Sequence, residues 1–193
     1  MFWLLTRNTL SYQIYVLIGT IAIPIAILAW LDIYTSTIMP KARKIVLGSY
    51  LIFSIIFEIY MFYFLYITPG APVKPLLGMI NDSINPLDID YKGFLLVYLG
   101  ISTITACVTG IHFAITSMRI KENKKILWKG RFLFLSFSLF GFAAIFDAII
   151  EMTAIELIII RSILVFSTFF FYLGFILPKW IRKVLSIKNE ETI

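Results

Sequence analysis

The chain has 193 residues, 60% of them hydrophobic and 15% charged, with a mean hydropathy of +0.93 and a formal net charge of +6. A soluble domain carries nearer ~45–50% apolar residues. Here the excess is gathered into windows almost free of charge, each at least the ~20 residues a helix needs to cross roughly 30 Å of hydrocarbon. This leaves no room for a soluble catalytic domain. The basic residues sit beside the ends of these windows rather than on one soluble face, so the partners they suit are membrane lipids with anionic headgroups, not nucleic acid.

The pattern predicts an all-α polytopic bundle of five transmembrane helices forming one integral membrane domain, with spans at about residues 12–39, 45–68, 93–118, 132–152 and 154–177. The segment before the first span, Met1-Phe-Trp-Leu-Leu-Thr-Arg7, lacks the charge order and cleavage site of a signal peptide and is expected to be retained. Span 1 carries Gly19 and Pro24 near its middle, where a kink is expected, and Pro40 closes it. Asp32 and Trp30 fall at its inner headgroup level, and Lys41, Arg43 and Lys44 make the first inner loop.

Span 2 holds Glu58 in its outer half, followed by Tyr60, Phe62, Tyr63, Phe64 and Tyr66, which suit an outer aromatic belt. The loop at 69–92 is rich in proline and acidic residues and belongs outside. Its middle, Leu76 to Ile84, is apolar enough to lie on the membrane as a short helix. The same loop holds a weak glycosylation sequon, Asn81-Asp-Ser83, and the pair Asp88 and Asp90, which lacks the spacing of a calcium loop; solvated loop charges explain both.

Span 3 has two patterns. Ser102, Thr105, Thr109, His112 and Thr116 recur at steps of three and four and share a polar face. Ser102, Ala106, Gly110 and Ala114 repeat every four residues, the small-xxx-small spacing that lets helices approach closely. Such a helix belongs at the centre of a bundle. The run after it, residues 119–131, carries six of the seventeen Lys and Arg residues. Span 4 places Ser136, Ala143, Asp147 and Glu151 on one face; span 5 does the same with Arg161, Thr168 and Tyr172 and stops at Pro178. The fifteen residues beyond it are not expected to form an output domain.

Walking the loops in alternation puts thirteen Lys and Arg on one side and three, with Arg7 among them, on the other. That asymmetry predicts the N-terminus outside and the C-terminus cytoplasmic, in a multi-pass protein of the cell membrane.

The stretch from Arg161-Ser-Ile-Leu through Tyr172-Leu-Gly-Phe-Ile-Leu-Pro-Lys-Trp-Ile-Arg182 resembles the C-terminal end of uncharacterised archaeal multi-pass membrane proteins, several of them seven-helix. The likeness covers the final third. It implies a related fold lacking two N-terminal spans, and it carries no activity. A second likeness, of Thr105-Ala-Cys-Val-Thr-Gly110 to the cysteine motif of exosortases and archaeosortases, fails in order: that family has an arginine and then a histidine after the cysteine, whereas His112 comes first here. Cys107 and His112 also stand about 140° apart around one helix, too far for a nucleophile and its base. Cys107 is expected to be a buried structural thiol, and no enzyme activity is assigned.

Depth ranks the ionisable residues. Glu58, Asp147 and Arg161 all lie roughly 20–24 Å above the inner ends of their spans, so the guanidinium of Arg161 is expected to find Asp147 first and Glu58 second. This trio is a ligand site or a structural ion cluster. Asp32 and His112 both stand about 9 Å above the inner ends and form a candidate proton-transfer or pH-sensing pair. Packing and orientation are the simpler role for both groups. One histidine cannot supply a bis-histidine haem, and zinc lacks ligands, so neither cofactor nor metal is expected. Two function classes remain. One is a receptor-like or scaffolding module that binds a lipid, small molecule or partner protein among its helices and reaches a protein partner through its basic inner loops. The other is a transporter or channel subunit in which the charged residues and the polar face of span 3 line a pathway; the absence of an internal repeat weighs against it.

Overall fold

Five helices long and apolar enough to cross a membrane dominate the computed structural model, which describes residues 12–67, 77–80, 89–121, 123–149, 153–185 and 187. The elements are α1 (Tyr12–Thr20), α2 (Ile23–Ile38), a 3-10 turn (Pro40–Ala42), α3 (Arg43–Phe62) running into a π-helical segment (Tyr63–Ile67), strands β1 (Gly78–Ile80) and β2 (Ile89–Tyr91), then α4 (Gly93–Met118), α5 (Lys124–Ile149), α6 (Ala154–Ile176) and α7 (Lys179–Val184). The sequon Asn81–Ser83, Asp88, Arg7, Glu151 and Lys188 lie outside the described residues.

The chain gathers into two compact units, residues 1–79 with 91–98, and residues 80–90 with 99–193. In the first unit the expected kink of span 1 is a break. Pro24 has no N–H to offer the carbonyl of Thr20 and its ring crowds that carbonyl, so the helix stops at Thr20 and α2 starts with Pro24 in its first turn. Thr20 is fully buried there, its hydroxyl 2.7 Å from the Val16 carbonyl and 3.0 Å from Met61 Sδ. Beside it, Gly19 leaves room for the Tyr91 hydroxyl, which a Cβ would meet at 2.8 Å. A three-residue turn opened by Pro40 joins α2 to α3.

The start of α4 packs on α3 through rings. Tyr98 stacks on Phe57 at 3.9 Å with the planes 9° apart, and its hydroxyl shares a 2.8 Å hydrogen bond with Ser54. Phe53 and Tyr60 meet Phe94 at 5.9 and 5.2 Å. Tyr98, Phe57 and Ser54 are buried, which ties the hydroxyl pair to the packing: a tyrosine enclosed in apolar surroundings needs a partner for its O–H.

In the second unit α4, α5 and α6 pack through small residues. A Cβ on Gly110 would enter the Phe137 ring, one on Gly141 would meet Cys107 Sγ at 3.0 Å, and one on Gly130 would meet Met118 Cγ at 2.8 Å and the Ala114 carbonyl at 3.0 Å. These contacts run down α4 as they run up α5, so the two helices are antiparallel. Between α5 and α6, Gly174 admits Leu133, and Ser136 and Ser167 exchange hydrogen bonds: each hydroxyl donates to the other's carbonyl, at 2.8 and 3.0 Å. Ala143, Leu157 and Ile160 close the end of this pair where α6 begins.

Two boundaries differ from the sequence reading. Span 4 begins eight residues early, at Lys124, because Asn123 caps it, its side-chain oxygen accepting from the Lys125 and Ile126 N–H groups at 3.0 and 3.2 Å. Much of the basic segment 119–131 is therefore helix, not loop. The surface helix expected over Leu76–Ile84 is replaced at 78–80 by a strand paired with β2, where glycine disfavours a helix and β-branched Ile80 and Ile89 suit a strand.

Candidate functional site

An ionisable contact lies at one end of the α5–α6 pair. Thr153 opens α6 with a capping box: its N–H donates to the Glu156 carboxylate at 2.8 Å and its hydroxyl caps the Glu156 N–H. That sharp start turns α6 back along α5 and brings Arg161 Nη2 to 3.2 Å from Asp147 Oδ1, an ion pair without hydrogen-bond alignment. The pair is open, with the Arg161 side chain 49% exposed and that of Asp147 30%. Arg161 lies about 10 Å along α6 from its first residue, within reach of the headgroup region by snorkelling. Glu58 belongs to the first unit. Its Oε2 is buried and has no hydrogen-bond partner among the described residues.

Asp32 has a partner that the sequence reading did not name. Arg43, at the first residue of α3, donates from Nε to Asp32 Oδ1 at 2.7 Å. The pair straddles the Pro40 turn, and both side chains are near half exposed, so it locks the hairpin modestly. His112 belongs to the second unit, on an exposed position of α4, where its carbonyl accepts the Thr116 hydroxyl at 2.9 Å.

The two patterns of span 3 separate in the structure. Ser102, Gly110 and Ala114 are buried and Ala106 is half-buried, whereas Thr105, Thr109 and Thr116 are half-buried. The Thr109 hydroxyl donates to the Thr105 carbonyl at 2.6 Å, as Thr116 does to His112. A threonine that bonds back to its own helix has met its polar need and can face hydrocarbon. On α6, Thr168 and Tyr172 are exposed, while the side toward α5 is made by Leu157, Ile160, Ser167, Leu173 and Gly174. Cys107 Sγ sits against Gly141, 4.0 Å from the Phe137 carbonyl.

At the other end of the α5–α6 pair is a contact the sequence reading missed. Lys129 Nζ donates to the Phe175 carbonyl at 2.6 Å, placing a cation at the C-terminus of α6, where the helix dipole is negative. The available signal was positional: Pro178 ends α6, and a lysine one turn inside α5 stands level with its last carbonyls. Arg131 lies over the Trp128 ring at 4.6 Å nearby. No group of three or more metal-binding side chains occurs among the described residues. No protein-family model, curated protein or solved structure matches this chain.

Proposed function

We propose that the chain is a multi-pass protein of the cell membrane, N-terminus outside and C-terminus cytoplasmic, and that it serves as a receptor-like or scaffolding module rather than an enzyme. It holds a lipid, small molecule or partner protein against its helices, with its basic inner segments facing anionic headgroups and a protein partner. The observation that carries this reading is how intramembrane hydroxyls are used. Thr35, Thr109, Thr116, Ser162 and Thr168 each donate to the carbonyl four residues back, and Ser54–Tyr98 and Ser136–Ser167 pair across helices. Hydroxyls spent in this way are satisfied within or between helices and leave little polar lining for a conduit.

One observation favours the alternative of a transporter or channel subunit: the buried, unpartnered Oε2 of Glu58 is the kind of group that marks an ion pathway. Reconstitution separates the two readings. Purified protein in proteoliposomes is expected to give proton, sodium and chloride fluxes equal to those of empty vesicles. A flux abolished by Glu58→Gln overturns the module reading and establishes the alternative.

A further inference from the structure

Glu58 stands on the side of α3 that faces the break in span 1. At about 100° per residue it lies within about 60° of Met61, whereas Phe53, Phe57 and Tyr60, whose rings meet α4, lie about 100–160° away. Met61 touches Thr20 through the 3.0 Å contact at its sulfur, and Asp32 pairs with Arg43, so span 1 and α3 run antiparallel. Glu58, one turn before Met61, is therefore about 4.5 Å nearer the Pro40 turn and level with residues 21–24, where α1 has ended and α2 begins.

The break supplies acceptors at that level. The last carbonyls of a helix point along its axis and carry the negative end of its dipole, and those of α1 point toward residues 21–24. Pro24 gives the Thr20 carbonyl no N–H, and Thr20 is fully buried. Gly19 adds no side chain, and among the described residues only the Tyr91 hydroxyl oxygen lies within 4 Å of where its Cβ would stand. Glu58 Oε2, at the level of these carbonyls, is buried and has no hydrogen-bond partner among the described residues. The described cations of the first unit stand at its two ends: Lys41, Arg43 and Lys44 at the Pro40 turn, with Arg43 held by Asp32, and Lys92 just before α4. A carboxylate oxygen closed off from water beside a carbonyl that lacks its donor is unfavourable until a cation joins them.

We infer that Glu58 and the break in span 1 form a site for a monovalent alkali-metal cation, held between the Glu58 carboxylate and the Thr20 carbonyl. The donors are hard oxygens, which suit such ions and not soft metals, and one carboxylate balances one positive charge. Carbonyls at the end of a broken membrane helix hold ions of this kind. The inference goes beyond the module reading and is compatible with it: an ion resident in the first unit ties α1 and α2 to α3 without crossing the membrane.

The test is melting of the full-length protein in detergent at fixed pH and ionic strength, with choline chloride replaced stepwise by sodium or potassium chloride, since an ion that binds the folded state raises its melting temperature. A saturable rise with at least one of the two salts is expected in the wild type. Glu58→Gln, which keeps the shape and removes the charge, should weaken the apparent affinity at least about tenfold, as loss of one charged partner does. Pro24→Ala, which returns an N–H to the Thr20 carbonyl, should weaken it as well, and it carries the test if Glu58→Gln does not fold. Asp32→Asn removes the same charge at the Pro40 turn and should leave the affinity at the wild-type level. A wild type indifferent to both salts overturns the site, as does a Glu58→Gln or Pro24→Ala variant that binds as the wild type does. Equal weakening by Asp32→Asn and Glu58→Gln reduces the effect to general charge and overturns the site too. Melting that depends on pH through Glu58 and on neither salt makes the occupant a proton and overturns the assignment to a metal ion.

Discussion

Gly110 and Val108 lie two residues apart on α4 in opposite circumstances. A Cβ at Gly110 would enter the Phe137 ring, whereas Val108 is 63% exposed. Gly110→Leu is therefore expected to lower stability by about 1–3 kcal/mol or more, through overpacking of the seam with α5. Val108→Leu should leave it within about 0.5 kcal/mol. Thermal melting in detergent checks both, and equal melting temperatures would show that the small-residue stripe is not the seam. The Asp147–Arg161 pair calls for a smaller effect than depth alone suggests. A well-buried pair would cost about 3–5 kcal/mol on losing one member, but this one is open, so Arg161→Met or Asp147→Leu should each cost nearer about 1 kcal/mol. The double variant should cost less than the sum of the two, and strict additivity would mean that the residues do not interact. This contact was legible in the sequence because a permanent cation at that depth requires a carboxylate, and the short turn leaves Asp147 within reach. The Asp32–Arg43 pair was not read, although Pro40 between them fixes a hairpin. Depth comparison directed attention to His112, while the partner that the structure shows for Asp32 lay just past the turn.

At the scale of elements, α4 matches its predicted range because Gly93 and the basic run after Met118 bound a continuous apolar stretch. The start of α5 was missed because charged residues were read as loop. Lysine and arginine are good helix formers, and a capping asparagine extends the helix through them into the headgroup region. The start of α6 carried a plain signal, Thr153 with Glu156 three residues on. Thr153→Ala should cost about 1 kcal/mol by removing that cap, and it should also weaken the Asp147–Arg161 pair that the capped start of α6 sets up. Coupling between Thr153→Ala and Arg161→Met, measured as non-additive melting, checks the link; simple additivity would mean that the pair forms however α6 begins. The small-residue stripe and the threonine face of α4 were both visible in sequence. Their different uses were not, because period alone cannot show whether a hydroxyl bonds to a neighbouring helix or back to its own.

For the whole molecule, the exposed large apolar side chains point to the environment and the charges predict a direction. Ile25, Ile45, Ile104 and Val165 are each among the most exposed residues of their helices, an arrangement that a water-soluble protein would hide. With these faces in hydrocarbon, the thirteen Lys and Arg counted on one side against three on the other predict the orientation. Four of the thirteen, Lys124, Lys125, Lys129 and Arg131, lie within α5 itself, so the basic segment cannot slide into the bilayer without carrying them along the helix. That rigidity makes labelling informative at single residues. In a Cys107→Ser background, Lys92→Cys should react with a membrane-impermeant maleimide in intact cells, because it precedes the start of α4 on the outer side. Lys121→Cys, exposed between α4 and α5, should react only after permeabilisation. The reverse pattern would invert the molecule and place Lys125, Lys129 and Arg182 at the outer leaflet. Labelling of both in intact cells would mean that α4 does not cross, which would remove the five-span arrangement itself.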